Sequence, residues 1–345
     1  MLVSRIAAGA MHSLLVSTED ILWAMGNGNA GQLCHGENTT QRQPVRVMDQ
    51  VRGVAAGEQH SLLLKSDDSL WVCGGNDDGQ LGDGSDQSTS QPLKLMEQVR
   101  AIAAGKAHSL VVRNDGSLWA FGQNTYGQLG SGDEQTHRTP VKIMDEIQAV
   151  AAGEHFSLVL KTDGTVWAMG SNFNSQLGTG DRLGHNIPVK IFDHVSAIAT
   201  GMAHTLMLRD DGSVWAVGFN GAGQLGDGGG INRQSPVKVM NDVHAIAAGG
   251  FHSLFLHTDG SLWTVGNNAQ GQLGDGSNQH RNRPTKVLDQ VRRISGGGYH
   301  SLAVIDDGTL RVTGSNGSGQ MGLGTGISDV NVFQPPIWPE DRPGR

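Results

Sequence analysis

Cysteine is nearly absent from this chain: Cys34 and Cys73 are the only two among 345 residues, too few for a disulfide framework of the kind that staples small secreted domains. Proline numbers 10 and aromatic residues make up 5%, which excludes a collagen-like polymer, because that needs abundant proline with glycine at every third place. No stretch approaches 18 apolar residues without a charge or a turn signal, so no membrane-spanning helix is expected. Positive charge is outnumbered, with 25 Lys and Arg against 33 Asp and Glu and a net charge of −8. That balance argues against nucleic acid or an anionic membrane as the partner. The sequence from Met1 runs straight into a repeat without a signal-peptide pattern, which makes a cytoplasmic location the default expectation.

Motifs of catalysis are equally scarce. There is no GxSxG elbow, Walker phosphate loop or HExxH pair. Three GxGxxG matches, at Gly26, Gly221 and Gly317, fall in a glycine-rich repeated phrase and open no helix that could hold a pyrophosphate. The expectation is a protein that is not an enzyme, with no cofactor and no metal.

Glycine is what the chain has in excess: 51 residues, about twice the usual share. Its placement is periodic. Trp23, Trp71, Trp119, Trp167, Trp215 and Trp263 are spaced by 48, with Arg311 next in the column. A hydroxyl column keeps the same period through Ser13, Ser61, Ser109, Ser157, Thr205, Ser253 and Ser301. Internal repetition of this kind decides the fold. The chain divides into seven units, about 6–53, 54–101, 102–149, 150–197, 198–245, 246–293 and 294–341.

Each unit holds four short strand candidates. In the third, Val99 to Gly105 and His108 to Arg113 are followed by the tight turn Asn114-Asp115-Gly116, then Leu118 to Gly122, a long polar loop, and Pro140 to Met144. No segment has helical periodicity. Four strands per unit, seven times, predict an all-β, seven-bladed β-propeller made of four-stranded antiparallel blades. The last repeat ends on Pro335-Pro336-Ile337-Trp338, which resembles a displaced fourth strand. Pairing of Ile337-Trp338 with Val3 to Ile6 is therefore expected to close the ring, with residues 1–6 completing the last blade and leaving no open edge.

The repeated phrase, in its fifth copy Ile198 to His204 (IATGMAH) and Asp211 to Gly226 (DGSVWAVGFNGAGQLG), resembles the repeat of the regulator of chromosome condensation family. The resemblance covers essentially the whole chain and implies a seven-bladed propeller. It implies less about activity, because relatives of this fold include nucleotide-exchange factors, light sensors, ubiquitin-ligase recognition subunits and enzyme inhibitors.

The columns sort structure from function. His12, His60, His108, His204, His252 and His300 share one column with Phe156, and copies one blade apart are expected about 10 Å from each other, too far for a zinc site. They are expected to be structural and hydrogen-bonded within each blade. The tryptophans should fill the wedges between sheets. Cys34 stands in a column of turn glycines and Cys73 in a strand column of apolar residues, where it should act as a small hydrophobe. Arg46, Lys94, Lys142, Lys190, Lys238 and Lys286 mark the outer strands, where charge guards an exposed edge.

Antiparallel order sends the first-to-second and third-to-fourth loops to one face and two short, acidic turns to the other. The long-loop residues differ from repeat to repeat. Met11, Tyr126, Phe173, Met202, Phe251 and Tyr299 are aromatic or Met side chains on variable loops over a rigid frame, the make-up of a protein-binding surface. The leading expectation is a monomeric interaction module that binds another protein through this face. Guanine-nucleotide exchange on a small GTPase is the alternative, although the first six units have no room for an inserted wedge. Inhibition of an enzyme through the same face is a further alternative.

Overall fold

A computed structural model describes residues 1–339. Among these, 28 strands form seven four-stranded antiparallel sheets, each made of consecutive strands, with no α-helix. The chain is a seven-bladed β-propeller. The final repeat boundary, at residue 341, lies outside the described residues.

Sequence and burial agree strand by strand. In the third blade, Val99–Ala104 lies at the hub and His108–Arg113 is buried along all but its last residue. Leu118–Gly122 is likewise buried apart from Trp119, and the polar strand His137–Met144 forms the exposed outer edge. Gly116, at φ +85°, lets the second-to-third turn close. Asp115 stabilises that turn, because its Oδ1 accepts from the N–H and the hydroxyl of Ser117. The same hydroxyl accepts from Trp119 Nε1 at 2.9 Å. Equivalent acids at 67, 163, 211, 259 and 307 are committed to the same hydrogen bonds, so the acidity of the short-turn face comes largely from turn chemistry.

The core lies between blades. Leu62, Leu64, Leu70 and Val72 of the second blade pack against Val111, Trp119 and Phe121 of the third, and large side chains buried in this way contribute about 1.5–3 kcal/mol each. The tryptophans fill the wedges as expected. Rim cations are neutralised locally: Arg46–Asp49, Lys94–Glu97, Lys142–Asp145, Lys190–Asp193 and Lys286–Asp289 are paired at 2.6–2.8 Å. Lys238 has Asn241 in the acid's place.

Three expectations need correction. First, Ile337-Trp338 does not pair with Val3 to Ile6. Among the described residues the strand Val3–Ala8 pairs only with His12–Ser17, and it belongs to the first blade. The fourth strand of the last blade is Asp329–Gln334, and Phe333 lies where a Cβ on Gly274 would meet it. Pro188, Pro236 and Pro284 take that place against Gly130, Gly178 and Gly226, so the Pro335-Pro336 pair is a false match. The ring closes by packing of Val3, Leu15 and Met25 against Leu302, Val304, Val312 and Met321, the same contact used at every other seam. Residues 335–338 then cross from the seventh blade to the first, with the Ile337 N–H donating to Gly322 O at 2.9 Å and Trp338 edge-on to Trp23 at 6.0 Å.

Second, the buried histidines bond between blades. His12 Nε2 meets Ser61 Oγ of the next blade at 2.9 Å, and the pairs His60–Ser109, His108–Ser157, His204–Ser253, His252–Ser301 and His300–Ser13 repeat this at 2.8–2.9 Å. Each of those hydroxyls also donates to a main-chain carbonyl, as Ser61 does to Gln32 O. It must therefore accept from the imidazole, which fixes the Nε2–H tautomer.

Third, the two cysteines are bonded to each other. Cys34 and Cys73 form a disulfide with their Cα atoms 5.6 Å apart. The turn residue of one blade abuts the third strand of the next, as Gly82 does Phe121 and Gly178 does Val217. Only at this seam have both partners become cysteine. Cys34 keeps the left-handed backbone of its glycine column, at φ +58°.

Candidate functional site

The long loops do share one face, because main-chain hydrogen bonds tie each first-to-second loop to the third-to-fourth loop of its own blade. Asn27 N–H donates to Met11 O, Phe219 to Ala203 O, Asn267 to Phe251 O and Ser315 to Tyr299 O, each at 2.8 Å. The first loops also bond to one another round the hub: Ala10 to Gly57 O, Glu58 to Gly105 O, Lys106 to Gly153 O, Glu154 to Met202 O, Met202 to Gly250 O, Gly250 to Gly297 O and Gly298 to Gly9 O. This closed ring of backbone bonds surrounds a cavity of about 110 Å3.

Buried amides fix the other loops. Asn124 Oδ1 accepts from Leu129 N–H while its Nδ2 donates to Asp133, and Gln128 Oε1 accepts from the Tyr126 N–H at 3.0 Å. Asn172 and Gln176 hold the loop of Phe173 in the same way. The repeated Gln-Leu phrase thus presents variable side chains from a rigid backbone.

The six anticipated contact residues fall into separate groups. Tyr126 and Phe173 meet edge to face at 5.9 Å, and Phe173 is 68% exposed. Phe251 and Tyr299 lie 6.2 Å apart on the other side of the hub. Half-buried Met202 covers Gly250, and Met11 stands beside Ser318 across the closing seam.

Several residues at this face escaped the sequence reading. Phe219 contacts Phe251 at 5.9 Å. It is the one aromatic in a column of Asn27, Gly75, Gln123, Ser171, Asn267 and Ser315. In three other blades that column accepts a hydrogen bond from the buried Gln, as Asn267 does from Gln272, whereas Gln224 Nε2 has no partner among the described residues. His155, displaced from the core column by Phe156, meets Tyr126 with tilted rings and centroids 4.8 Å apart. Burial lowers its pKa, against the opposing pull of Glu154. Leu183 and Ile231 are 68% and 76% exposed, in a column where four repeats carry Thr or Gln. A search down each column for the odd apolar residue would have found all but His155.

Near the hub Lys106 Nζ lies 2.8 Å from Glu154 and 4.0 Å from Glu58. The hydrogen bond that Lys106 donates to Glu154 raises its pKa against the cost of desolvation. Among the described residues no group of His, Cys, Asp and Glu is arranged to hold a metal ion.

These features define a propeller of the repeat class in which a regular frame carries dissimilar loops. A model of the RCC1-like domain matches residues 138–343, and the regulator of chromosome condensation (RCC1) repeat matches residues 19–64, 67–112 and 115–160. The chain belongs to the RCC1 family. Among solved structures it is similar to Prp20p from Saccharomyces cerevisiae, at 25% identity and a TM-score of 0.85 over 96% of this chain and 88% of that one. It is also similar to human WBSCR16, at 24% identity and a TM-score of 0.82 over 92% of this chain and 94% of the other. No curated protein matches the sequence significantly.

Proposed function

We propose that this protein is a non-enzymatic interaction module that binds another protein through its long-loop face. The observation that carries this reading is the contrast between loops fixed by buried Asn, Gln and main-chain bonds and the apolar side chains they expose, above all Met11, Tyr126, Phe173 and Tyr299. Rigid loops bind without a large ordering cost, and aromatic anchors supply most of the energy of such interfaces. Prp20p, whose structure was described with its binding to Gsp1p and histones, supports a protein partner. The test is a variant in which Tyr126, Phe173, Phe251 and Tyr299 are all Ala, with its thermal melt retained. Partners captured by the wild-type chain should be lost from it, and equal capture would sink the surface.

The likeness to Prp20p also favours a second reading, nucleotide exchange on a small GTPase. A nucleotide-release assay across small GTPases separates the two readings, because a plain binding module leaves the release rate unchanged.

A further inference from the structure

The long-loop face is electrically lopsided. In blades 5 to 7 the variable loop pairs, such as Met202-Ala203, Gly250-Phe251 and Gly298-Tyr299, carry no charge. Blades 2 to 4 carry Glu58, Asp77, Asp78 and Glu154 against the single cation Lys106 at the equivalent places. Lys106 is held by Glu154 with Glu58 beside it, which leaves Asp77 and Asp78 without a cation. Asp77 is exposed and makes no hydrogen bond or ion pair among the described residues.

This acidic sector is continuous with the aromatic one. Gln123 Nε2 donates to Asp78 Oδ2 at 3.3 Å, Gln123 Oε1 lies 3.1 Å from His155 Nδ1, and the His155 ring contacts Tyr126, which contacts Phe173. One surface over three blades thus runs from unpaired carboxylates to exposed aromatic rings. A carboxylate offers charge-assisted hydrogen bonds to a guanidinium or ammonium group. The negative face of an aromatic ring attracts the same cation and also packs against its alkyl stem or an apolar neighbour.

We propose that the occupant of blades 2 to 4 is a protein segment carrying Arg or Lys beside an apolar side chain, recognised jointly by Asp77, Asp78, Tyr126 and Phe173. The inference rests on the long-loop reading and names the chemistry of its partner. Phe219, Phe251 and Tyr299 form an uncharged patch across the hub, which makes them a built-in comparison.

The test is a random-peptide display library selected on the wild-type chain. Enriched peptides are then measured on Asp77→Asn/Asp78→Asn, on Tyr126→Ala/Phe173→Ala and on Phe251→Ala/Tyr299→Ala, each checked by its melting curve. Enriched sequences should pair Arg or Lys with Leu, Phe or Trp. Their affinity should fall at least tenfold on the first two variants and hold on the third. Acidic or uncharged winners, or losses confined to Phe251→Ala/Tyr299→Ala, overturn this inference while leaving the long-loop reading in place. No enrichment, or peptides indifferent to every loop variant, overturns both.

Discussion

His12 Nε2 donates to Ser61 Oγ across the seam between the first and second blades, and both side chains are fully buried. Six such pairs stitch the ring. Burial holds His12, His108, His204, His252 and His300 at pKa values of about 3 and His60 at about 4. Below pH 6.5 the unfolded chain takes up protons that the folded chain refuses, so stability falls as the pH drops from 6.5 towards 4. At pH 5.5 each histidine costs on the order of 1 kcal/mol, so the six together remove several kcal/mol, a large share of the stability of a typical domain. Denaturant midpoints measured from pH 7.5 to 5 should fall steeply over this window. His204→Phe, which copies Phe156 of the fourth blade, should fold and make the fall shallower.

The glycine that precedes each of these residues by three is fixed by its neighbour. A Cβ on Gly105 would stand 2.6 Å from Gly153 O and closer still to the His108 ring, whereas one on Gly317 would meet nothing within 4 Å. Gly105→Ala is expected to destabilise the protein by at least about 2 kcal/mol, because the contact is with backbone and a packed ring. Gly317→Ala should stay within about 0.5 kcal/mol of wild type. Equal melting temperatures for the two variants would contradict this account.

The blade count and the sorting of loops to one face could be read from the sequence, because the columns of the first three strands keep their period of 48. Seam chemistry could not. His12 and Ser61 lie 49 apart, one unit plus one residue, and that offset has meaning only once adjacent blades are known to stack on their second strands. Cys34 and Cys73 sit in two unrelated columns until the turn of one blade is placed against the third strand of the next. The final repeat misled through composition: Pro335-Pro336 copies the fourth-strand proline, whereas Phe333 fills its place. At the loop face Tyr126 and Phe173 were visible as aromatics among polar residues, while the contact of His155 with Tyr126 depended on Phe156 having taken the core position.

The Cys34–Cys73 bond closes a loop across a sequence separation of 39 and ties the first blade to the second. The loop-entropy account gives such a link about 4 kcal/mol. A reducing agent should therefore lower the melting temperature of the wild-type chain. The double variant Cys34→Gly/Cys73→Val recreates the Gly178–Val217 pair of another seam and gives up the covalent link alone. It should melt where the reduced wild type does and be indifferent to reductant. Two alkylatable thiols in the unreduced, denatured protein would overturn the prediction.

The indole relay provides its own comparison. Trp119 Nε1 donates to Ser117 Oγ, and Ser117 donates to Asp115. In the first blade Ile21 occupies the position of Ser117, and Trp23 Nε1 has no partner among the described residues. Ser117→Ala strands a half-buried donor and should cost about 1–2 kcal/mol. Most of that penalty should disappear in a Trp119→Phe background, where no N–H remains to be satisfied, giving a coupling energy of about 1 kcal/mol in a double-mutant cycle. The matching cycle of Ile21→Ala with Trp23→Phe loses only apolar packing on each side and should show coupling of less than about 0.5 kcal/mol. Equal coupling in the two cycles would mean that the hydroxyl relay contributes nothing beyond packing.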